Sequence, residues 1–181
     1  MSKWEMVKLG DVCDVRDGTH DSPKYISQGY PLVTSKNIAN GYIDITEVNY
    51  ISKDDYDKII LRSGVDDGDI IMPMIGTIGN PIVVNKTFDF AIKNVALIKF
   101  VENNVLNQYI FYILRSNIFK RYIDKENRGG TQKFISLGSL RNFMIPLPPI
   151  ETQKQIAKTL NIAAELLAMR KQQLAELDNL I

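Results

Sequence analysis

The sequence predicts an α+β protein, a strand-rich domain over residues 1–149 followed by one long C-terminal coiled-coil helix over 150–181. Three observations predict it. Up to Pro146, short apolar or β-branched runs are broken by Gly, Asn and Pro at intervals of roughly 8–12 residues, the spacing of short strands. Pro146-Leu147-Pro148-Pro149 then forces an extended segment, because proline fixes φ and pushes the preceding residue out of the α region. Beyond it, residues 151–181 contain neither Gly nor Pro and are rich in Ala, Leu, Gln, Glu and Lys, which favour the helix.

The elements follow in order. Short helical turns are expected at 8–12 and 52–59, and strands at 31–34, 41–50, 69–74, 81–84 and 95–101. Asn40-Gly41 and Asp67-Gly68 are turn dipeptides. Gly76-Thr77-Ile78-Gly79-Asn80 lies between two strand-like runs with no helix after it, so it reads as a hairpin and not as a phosphate-binding loop. From 104 to 123, Leu106, Ile110, Ile113, Leu114 and Asn117 keep a helical period, with Asn103 or Asn104 as N-cap. In the last helix Ile156, Leu160, Ala163, Leu167, Arg170, Leu174, Leu177 and Ile181 are separated by alternating steps of four and three, the a/d pattern of a coiled coil. Some 30 residues reach roughly 45 Å, further than one domain can cover. An amphipathic helix folded back on its own domain is the alternative, and Arg170 at an a position weakens the seam.

Composition excludes more than it assigns. At 181 residues, with 45% hydrophobic and 24% charged residues, the chain is globular. Lys and Arg number 22 against 21 Asp and Glu, so a nucleic-acid role has to come from local clustering. No apolar run approaches the roughly 18–20 residues of a bilayer span, and Met1-Ser2-Lys3-Trp4-Glu5-Met6 is no signal peptide, so a cytoplasmic protein without membrane contact is expected. The single cysteine, Cys13, excludes an intrachain disulfide and a multi-thiolate metal site, and reads as a small core residue. The single histidine, His20, would have to carry any Ser-His-Asp, Cys-His or His-metal chemistry. Asp14, Asp17 and Asp21 around it read as turn formers. There is no Walker A sequence, and Asn80-Pro81-Ile82-Val83 lacks the second proline and aromatic of an adenine methyltransferase motif. A binding protein is expected, with no catalytic residue, metal or cofactor.

Charge separates along the chain. Residues 41–69 hold eight acidic and three basic side chains, whereas 115–141 hold seven basic and two acidic, interleaved with Tyr122 and Phe134. Such a segment suits phosphates, although a solvated helix face has the same composition. The run Gly129-Gly130-Thr131-Gln132-Lys133 tips the balance. Two glycines let the backbone approach a ligand closely, and Gln can make a bidentate contact to adenine.

Four blocks then stand in order: Trp4-Glu5-Met6-Val7-Lys8-Leu9-Gly10-Asp11-Val12; Asp17-Gly18-Thr19-His20 with Tyr30-Pro31-Leu32-Val33-Thr34-Ser35-Lys36-Asn37-Ile38; Gly68-Asp69-Ile70-Ile71 with Gly76-Thr77-Ile78-Gly79; and Gly129-Gly130-Thr131-Gln132, Leu140 and Ile145-Pro146-Leu147-Pro148-Pro149-Ile150-Glu151-Thr152-Gln153-Lys154-Gln155-Ile156-Ala157. Together they resemble the specificity (S) subunits of type I restriction-modification enzymes. The resemblance implies a target-recognition domain that reads a few base pairs in one half of a split site in double-stranded DNA. It also implies a conserved helix that sets the distance between the halves and docks the methyltransferase (M) subunits. Those supply S-adenosylmethionine and the base chemistry, and a restriction (R) subunit supplies cleavage.

A complete member of that family carries two recognition domains and two helices, whereas this chain holds one of each. It is therefore expected either as a half-size subunit that pairs through its helix or as a piece of a longer one. The expected DNA contacts are Thr19, His20, Lys24, Ser35, Lys36, Asn37, Thr77, Arg128, Gly129, Gly130, Thr131, Gln132 and Lys133, with loop capping as the other role for His20. The expected partner of the helix stripe is a second copy, giving a homodimer, or the M subunit. A non-catalytic protein–protein scaffold that binds no DNA is the rival reading.

Overall fold

The computed structural model describes residues 4–39, 41–76, 78–101, 104–127 and 134–178. In chain order its elements are β1 (Met6–Lys8), α1 (Leu9–Val12), β2 (Asp14–Asp17), β3 (Tyr30–Val33), a 3-10 turn at Ser35–Asn37, β4 (Ile38–Ala39), β5 (Tyr42–Ile43), β6 (Asn49–Ile51), α2 (Lys53–Ser63), β7 (Ile70–Pro73), β8 (Ile82–Val83), β9 (Ala91–Ile92), β10 (Val95–Lys99), α3 (Asn107–Arg115), α4 (Asn117–Glu126), α5 (Leu137–Asn142), β11 (Met144–Pro146) and α6 (Ile150–Asp178).

Two sheets lie between helices. The central one has the antiparallel order β2-β10-β7-β8, and the second has the order β6-β3-β9 with β3 and β9 parallel. Ile70, Met72, Ala96 and Ile98 face a helical layer containing Tyr109, Ile110, Phe119 and Leu140. Their neighbours Ile71, Val95 and Leu97 face the other way, onto Val33 and Ile92 of the second sheet and onto Phe90, which precedes β9. That sheet turns Leu32, Ile51 and Ala91 outward under α2, where Tyr56 stacks on Tyr30 with ring centroids 4.0 Å apart. Strands buried on both faces need apolar residues at successive positions, which is why these runs are continuous rather than alternating. Cys13 belongs to the helix-side core, and burial pushes its thiol pKa up to about 12.

β7 and β8 pair antiparallel around the Gly76–Asn80 stretch, as expected of a hairpin, with Gly76 and Gly79 at φ 77° and 87°. Three expectations are corrected. The strand at 41–50 is two short strands, β5 and β6, separated by a turn in which Asp44 accepts from the backbone and hydroxyl of Thr46. The helix at 104–123 is two helices that break at Ser116, whose ψ of 162° stops α3 and whose hydroxyl caps α4. Neither Asn103 nor Asn104 is the N-cap of α3. Leu106 holds that position, and its N–H donates to the side chain of Gln153 at 2.9 Å.

α6 runs for 29 residues, or about 44 Å. Its first turns pack on α3: Gln153 and Ala157 are buried, and Asn161 accepts from Gln108 at 3.0 Å and Tyr112 at 2.6 Å. Ile156 packs against the core, so this member of the predicted stripe is not free for a partner. From 162 to 178 every residue is exposed, including Leu167, Leu174 and Leu177. Ile181 lies outside the described residues.

Candidate nucleic-acid interface

The chain leaves β2 through Asp17-Gly18-Thr19-His20. A Cβ on Gly18 would lie 2.5 Å from the carbonyl oxygen of Ile92, so the approach of this loop to β9 requires glycine. The Thr19 N–H donates to that carbonyl at 3.0 Å, and its hydroxyl, almost buried, accepts from the Asp21 N–H at 3.1 Å. His20 is exposed and bridges two oxygens: Nδ1 lies 2.8 Å from Oδ1 of Asn94, and Nε2 lies 2.7 Å from Oδ2 of Asp17. Arg62, from the end of α2, donates to the other Asp17 oxygen. The hydrogen bonds that its ring makes to the Asn94 and Asp17 oxygens lift the His20 pKa above its ordinary value. Burial raises the pKa of Asp17, but the bonds from His20 and Arg62 outweigh it, and the net shift is downward.

The turn at Ser35–Asn37 sits beside this loop. Lys93 bridges to Thr19, its N–H donates to the carbonyl of Val33 at 2.9 Å, and its Nζ donates to Ser22 at 2.8 Å. Asn37 is buried. Its Oδ1 accepts from the N–H and hydroxyl of Thr34, and its Nδ2 donates to the carbonyls of Asp44 and Glu47. The polar groups of Thr19 and Asn37 are thus spent on the chain itself, and they shape the turns on which His20, Ser35 and Lys36 stand. Lys24 and Lys36 are exposed.

A second cluster forms at the β7–β8 turn. Ile75 bridges to Phe134, and the Ile135 N–H donates to the Met74 carbonyl at 2.9 Å. Asn127 closes the other side: its Oδ1 accepts from the Phe134 N–H at 2.7 Å, and its Nδ2 donates to the Ile123 carbonyl. The residues that flank 128–133 therefore meet beside Gly76. Thr77, Arg128, Gly129, Gly130, Thr131, Gln132 and Lys133 lie outside the described residues.

Ile78 and Gly79 share a cavity of about 160 Å³ with Arg115, Ser116, Lys120 and Asp124. Arg115 also borders a groove of about 440 Å³ with Asn80, Gly41 and Ile38, and its guanidinium lies 5.1 Å above the Phe111 ring. Ile38 directly follows the Ser35–Asn37 turn, so the groove begins where the first cluster ends.

Sequence reasoning missed Arg62, Asn94 and Asn127 as site builders, and it reached Arg115 and Lys120 only as members of the basic segment 115–141. Of the first three only Asn94 carried a signal, since asparagine tolerates the left-handed backbone found there at φ 55°. Among the described residues no group of three or more His, Cys, Asp or Glu is placed to hold a metal, and no helix is long and apolar enough to cross a membrane.

The chain is 33% identical over 168 residues to the MjaX type I restriction enzyme specificity subunit of Methanocaldococcus jannaschii, covering 87% of this chain and 39% of that protein. It is 27% identical over 185 residues to the MjaVIII specificity subunit of the same organism, covering 97% and 43%. Its fold matches the HsdS subunit from Thermoanaerobacter tengcongensis with a TM-score of 0.67 at 21% identity, over 93% of this chain and 39% of that one. The chain thus spans about two fifths of the length of these relatives, which are named for specificity and not for catalysis. The sequence model of the type I restriction modification DNA specificity domain matches residues 1–179, and the chain belongs to that family.

Proposed function

We propose that this chain is a non-catalytic, cytoplasmic DNA-recognition module in which residues 1–149 read one half of a bipartite target in double-stranded DNA. The helix at 150–181 pairs with a second copy and docks methyltransferase and restriction subunits. The observation that carries the DNA reading is the bridge between Ile75 and Phe134. It brings the turn that follows β7 and the residues flanking 128–133, far apart in sequence, together, and Ile78 and Gly79 of that turn share a cavity with the exposed Arg115 and Lys120. The pairing role is supported by the run of exposed leucines on α6, each worth roughly 1.5–3 kcal/mol when covered.

Titration of the full chain, alone and with a co-expressed methyltransferase subunit, against a labelled random-sequence duplex over a range of salt tests the proposal. The expected affinity falls linearly with log salt, because bound cations displace counterions. Absence of DNA affinity in both preparations would leave the scaffold reading in its place.

A further inference from the structure

We infer that Arg115 and Lys120 form a seat for a backbone phosphate at the β7–β8 turn. The inference rests on the DNA-recognition reading and adds to it residues that hold the duplex without reading its sequence. Four cations near the sheets are engaged by carboxylates: Arg16 with Asp14, Arg62 with Asp17, Lys86 with Asp89, and Lys99 with Asp66 and Asp69. Arg115 and Lys120 have no carboxylate partner of this kind among the described residues, yet they line one cavity.

The cavity has the features a phosphodiester needs. Its far wall is Gly79, whose φ of 87° is open to glycine and whose missing side chain leaves the backbone approachable. Arg115 lies over the Phe111 ring, and that stacking steadies the guanidinium while leaving its edge of N–H donors for an anion. Asp124 borders the same cavity, where the two cations outnumber it. Arg115 also borders the groove lined by Asn80, so a nucleic-acid strand seated on this guanidinium has a second polar surface beside it.

The test uses the full chain and a random-sequence duplex, because phosphate contacts carry no sequence information. The Arg115→Ala/Lys120→Ala double variant, with an unchanged thermal melt, is expected to bind more weakly and to lower the salt slope by about two units. Lys58→Ala on α2, an exposed cation elsewhere, is expected to leave the slope unchanged. A steep wild-type slope that the double variant preserves would overturn the seat while DNA binding stood, and so would an equal drop from Lys58→Ala. Loss of methyltransferase-subunit binding with DNA binding intact would assign the cations to a protein carboxylate instead. A wild type that does not bind the duplex at any salt would remove the DNA reading itself.

Discussion

At Gly18 the space for a side chain is taken by the Ile92 carbonyl, so Gly18→Ala has to push β9 and the loop apart. The expected loss is about 1–3 kcal/mol, measurable as a lower urea midpoint. His20 beside it titrates as part of a pair. Its pKa is raised, so its stabilisation is complete below its ordinary 6.5 and is lost as pH rises through the folded value. Asp17 is shifted down, so its share is present above 3.8 and is lost as pH falls through its own lower value. In an NMR titration the His20 ring protons should turn over above 6.5, and Asp17→Asn should bring that midpoint down; no movement would mean that the pair does not form in solution. At the 128–133 segment, Gln132→Ala is expected to weaken binding to a cognate site more than to random DNA, with bidentate contacts worth about 1–3 kcal/mol, whereas Lys133→Ala should weaken both alike. The position of Thr19 and His20 in a loop was legible from the glycine and aspartates around them, and the turn at Asn37 was not. The inward use of Thr19 and Asn37 was not, because a side chain that bonds to distant backbone leaves no periodic trace in the sequence.

The helices show the same limit at the scale of elements. The apolar period of α3 and α4 was legible, but Ser116 is a helix-compatible residue until its hydroxyl caps the next helix, and the partner of the Leu106 N–H comes from α6. Gln153 is fully buried and also donates to the carbonyls of Asn104 and Pro148 at 2.9 Å each. Gln153→Ala removes all three of these bonds, and the expected cost is roughly 3 kcal/mol in chemical denaturation. Toward the free end of α6 the forces are different. Leu167 is 58% exposed, and Leu167→Asp should abolish self-association while leaving the melting of the N-terminal domain unchanged. Persistence of dimers in sedimentation would place the contact elsewhere.

For the molecule as a whole, the α+β class and the projecting helix were legible because β-branched runs and a Gly- and Pro-free tail are local signals. The layering was not. The parallel pairing of β3 with β9 joins residues on either side of β4 to β8, and only tertiary structure connects them. Sedimentation of the intact chain at micromolar concentration should give twice the monomer mass, and a monomer would reassign the α6 leucines to docking of a different protein. The pairing of β1 with β11 has a consequence for the order of synthesis. Met6 lies opposite Pro146, and the Leu9 N–H donates to the Phe143 carbonyl. On a ribosome adding about 5–20 residues per second, β1 is made on the order of ten seconds before β11. Throughout that interval Val7 and Leu9 lack the strand that covers them, and they are open to contacts with other nascent segments.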